Sequence, residues 1–134
     1  MSKSPDQALY DACWVIAESS GLSVYAYTPP LDTPYPFIRF AGTQLVPRGN
    51  KTGINAAVAF SFDVWDDGDH RGRCTEIANR LARNMSAIKN LNTGQGTGLS
   101  AVLHDDRTSV EVTIDQSTNN DLWRARVSLE WLIY

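Results

Sequence analysis

The densest group of potential metal ligands lies between residues 66 and 70: Asp66, Asp67, Asp69 and His70. It falls between a predicted strand and a predicted helix, where carboxylate oxygens can converge on a hard cation. The spacing does not match a calcium-binding loop. If Gly68 held the glycine position of such a loop, the last ligand would be Cys74, where a bidentate glutamate is required. We therefore expect no metal, and expect the acidic side chains to cap the following helix and complement its dipole.

No other segment carries the pattern of a catalytic or nucleotide-binding site. Segment 94–98 holds three glycines, but it leaves a helix and enters a strand, whereas a phosphate-binding loop runs from a strand into a helix. His70 and His104 have no partner that the sequence identifies. Cys13 and Cys74 lie on apolar helical stripes and are expected to be buried and unreactive. We therefore predict a protein that is not an enzyme and has no cofactor.

Two amphipathic helices are predicted, because apolar residues recur there every three or four positions. The first covers about residues 5–19, with Pro5 at its first position and Ser4 and Gln7 as a capping box. The second covers about residues 71–89 and carries Cys74 on its apolar stripe. Each helix therefore has one face to bury against a sheet.

Strand patterns fill most of the remaining chain. Segment 54–65 alternates in side-chain character with a period of two and is predicted to be a long, half-buried strand. The other predicted strands are 22–27, 37–46, 99–105, 109–115 and 122–134, with loops at 28–36, 47–53 and 90–98 and a tight hairpin turn at 105–108. This order favours a single α+β domain over residues 1–134, mainly an antiparallel sheet with both amphipathic helices packed on one face.

The second face of the predicted sheet has no helix to cover it. Its residues are small or charged: Asn55, Ala57, Ala59, Ser61, Ser109, Glu111, Thr113, Arg124, Arg126 and Glu130. A face of this kind can meet water, a channel or a neighbouring subunit.

The composition excludes several classes of protein. The chain has 134 residues and a net charge of −3, which excludes a strongly basic nucleic-acid-binding protein. Two cysteines exclude a disulfide framework and a cysteine-rich zinc site. No segment has the pattern of a signal peptide or a membrane span, so we expect synthesis in the cytoplasm.

Several diffuse motifs, taken in order, resemble the tail-completion proteins of long-tailed bacteriophages. They are Pro34-Tyr35-Pro36-Phe37-Ile38 at a strand entry, Phe62-Asp63-Val64-Trp65 at the end of the long strand, Arg71-Gly72-Arg73-Cys74-Thr75-Glu76-Ile77-Ala78 in the second helix, and Arg126-Val127-Ser128-Leu129-Glu130-Trp131 in the closing strand. Over essentially the whole chain they are similar to the tail-to-head joining (tail terminator) proteins of siphoviruses such as SPP1.

The resemblance implies a structural virion protein without catalytic residues. Such a subunit caps the head-proximal end of the tail tube, assembles as a six-fold ring, and docks on the stopper protein of the head connector. Its implied partners are further copies of itself, the tail tube protein and the stopper protein. DNA passes through the ring without being bound specifically, and no membrane is involved.

Candidate assembly contacts come from the open sheet face and from one polar loop. Long loops in compact domains are often functional, and a ring needs two dissimilar patches on each subunit. The candidates are Arg48, Asn50, Lys51 and Thr52 in the loop, and Ala57, Ala59, Arg124 and Arg126 on the sheet. We expect Arg124 and Arg126 to face away from the core and to matter more for assembly than for folding.

Two other functions stay open at this point. A small-molecule- or metal-binding α+β domain would use the segment from Asp66 to His70, and divalent metals would then stabilise it. A nucleic-acid-binding module would use the aromatic strands beside Arg39 and Arg48, and its binding would depend on salt concentration.

Overall fold

The computed structural model describes residues 3–48, 56–94, 98–116 and 121–134. Within these ranges it has two helices, α1 (Pro5–Glu18) and α2 (Arg71–Ser86), and seven strands, β1 (Val24–Tyr25), β2 (Phe37–Pro47), β3 (Ala56–Asp67), β4 (Asn90–Asn92), β5 (Gly98–Leu103), β6 (Ser109–Asp115) and β7 (Leu122–Ile133). A 3-10 turn at Asp105–Arg107 separates β5 from β6. In that part of the chain, no helix is long and apolar enough to cross a membrane.

Helix α1 begins with a proline, as predicted. Pro5 lies in the first turn, where its missing N–H costs no hydrogen bond, and Ser4 has the extended backbone of an N-cap residue. The predicted capping box is wrong, because Ser4 makes no side-chain cap bond. Gln7 instead donates to Asp11 one turn along, at 2.9 Å, a pairing that helical spacing makes easy. The helix ends at Glu18, close to its predicted end.

Helix α2 buries its apolar stripe, and this part of the prediction is confirmed. The buried residues are Cys74, Ile77, Ala78, Leu81, Ala82 and Met85. The predicted acidic cap is wrong: His70 is the N-cap residue without a side-chain cap bond, and the first turn has no acidic residue. Asp66 instead accepts hydrogen bonds from Arg73, a side chain of the helix itself. The helix stops at Ser86, before its predicted end, because the chain enters β4 at Asn90.

The seven strands form one mainly antiparallel sheet in the order β1-β2-β3-β7-β5-β4, with β6 also paired to β7. Its central pairing joins β3 to β7, from Ala56 opposite Ile133 to Asp67 opposite Leu122. The short pairing of β1 with β2 is parallel, so the sheet is mixed. The predicted α+β class and the mainly antiparallel sheet agree with this topology.

The predicted hairpin between β5 and β6 is wrong. Both strands pair with β7: β5 opposite residues 131–133 and β6 opposite residues 122–128. They therefore lie end to end along one edge of β7, which is long enough, at 12 residues, to pair with both. The 3-10 turn redirects the chain between them without reversing it.

Three further segments differ from their predicted boundaries. Segment 90–98, predicted as a loop, contains β4, which pairs with β5. The strand predicted at 22–27 is reduced to Val24–Tyr25, because only these two residues pair with β2. Strand β3 continues through Asp66 and Asp67 instead of breaking there, since both residues stay paired with β7.

Both helices pack on the same face of the sheet, as predicted. One core cluster contains Leu9 and Cys13 from α1, Leu81 and Met85 from α2, and alternate residues of the strands. In β3 these are Val58, Phe60, Phe62 and Val64, whose side chains are all buried. The period of two in β3 therefore puts the residues between them on the opposite face.

Candidate assembly surface

The sheet face opposite the helices, called the outer face below, is organised by the register of its strands. Pairing between β2, β3, β7 and their neighbours aligns its side chains in rows across the sheet. The rows are Phe37-Trp65-Arg124-Thr113, Arg39-Asp63-Arg126-Glu111, Gly42-Ser61-Ser128-Ser109, Gln44-Ala59-Glu130, and Val46-Ala57-Leu132-Val102. Aromatic and charged residues thus lie at one end of the outer face, small residues in the middle, and apolar residues at the other end.

Arg126 is held by an intramolecular ion pair. Its Nε and one terminal nitrogen donate to the two carboxylate oxygens of Asp63, at 2.8 and 2.9 Å. Asp63 is only 1% exposed, although it lies on the outer face, whereas the Arg126 side chain is 44% exposed. The hydrogen bonds and charge of Asp63, with a further contribution from Glu111, raise the pKa of Arg126. Arg126 also neutralises a buried carboxylate, so a variant here is expected to affect folding as well, and its role in assembly stays a prediction.

Arg124 packs against an aromatic ring. Its guanidinium carbon lies 5.7 Å from the centroid of the Trp65 ring, its cross-strand neighbour, within the range of a cation–π contact. Its Nε is buried and has no hydrogen-bond partner among the described residues. Arg124 thus faces away from the core, as predicted.

The middle of the outer face forms an open groove with a volume of 480 Å³. Its floor includes Gly42, Ala59, Ser61 and Ser128, and its sides include Gln44, Arg107 and Glu130. Small floor residues allow another backbone or side chain to approach the sheet closely. Ala59, a predicted interface residue, lies in this groove and is half-buried.

Ala57 does not fit the prediction of an accessible small residue. It lies on the outer face, but its side chain is only 2% exposed. Its neighbours in the register, Val46 and Leu132, carry larger side chains on the same face. The accessible residues of this row are Val46, which is 42% exposed, and Val102, which is 50% exposed.

One long stretch of exposed strand could not be recognised from the sequence pattern. Every residue of β2 from Ala41 to Pro47 is exposed, including Leu45 and Val46. Within the described residues, β1 is the strand paired on that side of β2, and it reaches only residues 38–39. An exposed apolar strand edge readily pairs with another chain. Alternating residue types predict a strand but do not show which of its edges is covered.

The predicted loop candidates are only partly described. Arg48 lies just after β2 and is exposed. Asn50, Lys51 and Thr52, with Asn55 of the predicted outer face, lie outside the described residues.

His104 has a partner that the sequence did not reveal, the groove residue Glu130. Its Nδ1 lies 2.8 Å from Glu130 Oε2. The two residues are 26 positions apart in the chain and meet because the turn after β5 lies against β7. The expectation that neither histidine has a partner is therefore wrong for His104, and also for His70, whose ring pairs with Asp67.

The acidic segment before α2 brings three possible ligands together. Ligand atoms of Asp66, Asp67 and His70 lie within 4.8 Å of one another. Both carboxylate oxygens of Asp66, a fully buried side chain, accept hydrogen bonds from Arg73. Asp67 accepts from His70 and from the Asp69 backbone N–H, and the bond from His70 is the main cause that lowers the pKa of Asp67. These carboxylates already have protein partners.

We expect divalent metals to leave the thermal stability of the protein unchanged. A cation would have to displace Arg73 from Asp66, and only binding to the folded state raises the midpoint of unfolding. Addition of Ca²⁺, Mg²⁺, Mn²⁺ or Zn²⁺ to chelator-treated protein should shift that midpoint by less than about 1 °C. A larger rise that Asp67→Asn abolishes would support the metal-binding alternative instead.

The cysteines are buried, as predicted. Cys13 and Cys74 are both 0% exposed. Burial raises the pKa of Cys13 to about 12, and burial with the charge of Asp66 raises the pKa of Cys74 to about 11. Neither thiol therefore forms the thiolate that a nucleophile requires near neutral pH. Of the glycine-containing segment 94–98, residues 95–97 lie outside the described residues.

No protein-family model matches this chain, and no curated protein matches it. The fold is similar to that of a solved protein described as from the virion of a native gene transfer agent particle. That likeness has a TM-score of 0.63 and 16% identity, and covers 96% of this chain and 93% of the other. A second solved protein matches with a TM-score of 0.53 and 16% identity over 98% of this chain and 97% of the other. The chain therefore shares its fold with these two proteins over almost its whole length.

Proposed function

We propose that this chain is a structural subunit of a phage-type virion, and that it joins the tail to the head. In this proposal it caps the head-proximal end of the tail tube as a ring, with six subunits as in the tail-completion proteins that the sequence resembles. Its partners are neighbouring copies, the tail tube protein and the stopper protein of the head connector. It performs no chemical reaction.

The fold likeness to a protein of a gene transfer agent virion, over nearly the full length of both chains, carries the proposal. Identity between the two chains is only 16%, so the likeness is one of fold and not of sequence. A small domain that buries both helices on one sheet face leaves the other face for contacts with neighbours.

The outer face supports a ring because its two sides differ. A cyclic ring with more than two subunits needs two unlike patches on each subunit. On one side lies the exposed stretch of β2 with Val46, and on the other lies β6 with Glu111. These surfaces are the candidates for the two halves of the contact between neighbours.

The net charge is compatible with a channel that lets DNA pass. Six subunits would carry a formal charge of about −18, six times the −3 of one chain. A ring with this overall charge has no general electrostatic attraction for the DNA backbone.

Electron microscopy of isolated tails tests the proposal. Particles made without this gene are expected to yield tails that do not join heads. Purified protein should then appear as a ring at one tail end and restore joining. Normal particles without the gene product, or a protein that does not bind tail ends, would contradict the proposal.

A further inference from the structure

A small pocket lies at the aromatic end of the outer face, beneath the proline-rich loop of residues 28–36. Its volume is 160 Å³, and a cavity of roughly 150 Å³ accepts one benzene-sized group. The lining residues that matter here are Pro30, Tyr35, Phe37, Arg39, Trp65 and Leu122. The pocket therefore has the size and the lining for a single aromatic side chain.

Local contacts hold the pocket in shape. The backbone N–H and the hydroxyl of Thr33 both donate to the Pro30 carbonyl, at 3.1 and 2.7 Å, which closes the proline-rich loop on itself. Tyr35 stacks on Phe37 with ring centroids 5.5 Å apart, and Tyr25 meets the edge of Phe37 at 5.8 Å. A partner would thus find aromatic walls already in place, which lowers the entropic cost of binding.

Arg39 is the charged side chain among the residues that line this pocket. Its Nε is buried and has no hydrogen-bond partner among the described residues. Asp63 lies opposite Arg39 in the register, but both Asp63 oxygens accept hydrogen bonds from Arg126. A second cation, Arg124, lies on the neighbouring Trp65 ring. A negatively charged group on a ligand would therefore complement the cations at this pocket.

The rim of the pocket exposes apolar groups. Leu31, at the tip of the proline-rich loop, is fully exposed, and Tyr35 is 38% exposed. Exposed apolar side chains beside a preformed pocket are typical of a protein-binding site. The pocket combines aromatic walls, an apolar rim, and cations without an acidic partner among the described residues. These features together favour a peptide with an aromatic side chain and a carboxylate next to it.

We propose that this pocket docks an acidic-aromatic segment of a different virion protein: the aromatic ring enters the space lined by Trp65 and Phe37, and the adjacent carboxylate pairs with Arg39. This inference rests on the proposed function for the identity of the partner, and it adds the chemistry by which that partner is recognised. A charge-assisted pair of this kind also gives the contact a defined orientation.

Titration of the free protein with short peptides tests the pocket without any particle. The probe is acetyl-Gly-Phe-Asp-Gly-amide, and the readout is the NMR resonance of the Trp65 indole N–H, with the indoles of Trp14, Trp123 and Trp131 as internal controls. We expect a saturable shift of Trp65 alone, with a Kd on the order of 1 mM. Replacing Asp by Asn in the peptide should weaken binding about tenfold, and replacing Phe by Ala should abolish it.

The Arg39→Met variant tests whether Arg39 is the residue that recognises the carboxylate of the peptide. This variant should bind the Asp and Asn peptides equally, whereas Arg80→Met, which removes an exposed arginine on α2, should discriminate as the wild type does. The proposed binding is wrong if the Trp65 resonance does not shift, or if the wild-type protein binds the Asp and Asn peptides equally. Because this comparison uses wild-type protein, it decides the matter even if Arg39→Met fails to fold.

Particle assembly tests the partner separately. Arg39→Met should self-associate like the wild type in sedimentation experiments, while the yield of joined particles falls at least about tenfold. Loss of self-association would indicate that a second copy occupies the pocket, and the partner assignment would then be wrong. A normal yield of joined particles would also contradict that assignment. If the wild-type protein binds the peptide but takes no part in joining heads to tails, the proposed function is wrong and the proposed peptide binding is still supported.

Discussion

Replacing Arg126 with glutamate is expected to lower the free energy of unfolding by about 3 kcal/mol. The substitution removes both hydrogen bonds to Asp63 and leaves that carboxylate buried, with side-chain exposure of only 2%. It also places a third acidic side chain beside Asp63 and Glu111 in the same row. We take the lower end of the range for broken buried pairs, because the Arg126 side chain is 44% exposed. Urea denaturation measures the loss.

Two further variants separate loss of the pair from loss of a surface charge. Arg80→Glu makes the same change of charge at an exposed position on α2 and should cost less than about 0.5 kcal/mol. Asp63→Asn combined with Arg126→Met removes both charges and should recover much of the stability lost by Arg126→Met alone. If Arg126→Glu costs no more than Arg80→Glu, the Asp63 pair does not contribute to folding.

The ion pair also decides how Arg126 can be used in assembly experiments. A variant at this position changes folding and surface charge together, so a loss of rings would not identify an interface. Arg124, held by the Trp65 ring without an acidic partner among the described residues, changes surface charge with less effect on folding. Assembly on this part of the outer face is better tested at Arg124.

Ala59→Trp is expected to lower the yield of assembled rings strongly while leaving the subunit folded. Ala59 lies in the 480 Å³ groove on the outer face, so an indole at this position projects into open space and not into the core. We expect the free energy of unfolding to change by less than about 1 kcal/mol. If a neighbour enters the groove, the indole occupies its place, and the yield of rings on tail ends should fall by at least about tenfold.

Arg80→Trp is the matched control for the groove. It adds the same large side chain at an exposed position of α2, on the far side of the sheet, and rings should form as in the wild type. Ring counts by electron microscopy and denaturation curves should be measured on the same preparations. Normal rings with Ala59→Trp would remove the groove from the assembly surface, whereas unfolding would show that the position is less open than its surroundings indicate.

Local patterns predicted the elements of the fold but not all of their connections. The apolar stripe from Cys74 to Met85 identifies α2 and the face it buries, because helix periodicity requires only neighbours along the chain. The alternation in β3 identifies both of its faces in the same way. The prediction of a hairpin after β5 is wrong because a polar turn between two strands does not show whether they pair with each other or with a third strand.

The sequence predicts which residues lie on the outer face better than it predicts their exposure and their partners. Ala59 and Arg124 lie on the outer face as expected, since the period of two places them there. Ala57 is buried and Arg126 is paired with Asp63, and both outcomes depend on strands far away in the chain. The pocket at Arg39 is lined by a loop and by residues of three strands, so no local sequence pattern predicts it.

The sequence alone was enough to predict an α+β domain with two amphipathic helices, a long central strand and buried cysteines. It did so because hydrophobic periodicity and proline and glycine positions act over a few residues. Tertiary structure alone decided that Asp66 pairs with Arg73 instead of capping α2, that β5 and β6 share one edge of β7, and that β2 has an exposed edge. Burial and charge pairing depend on which distant segments come into contact, and register across the sheet sets those contacts.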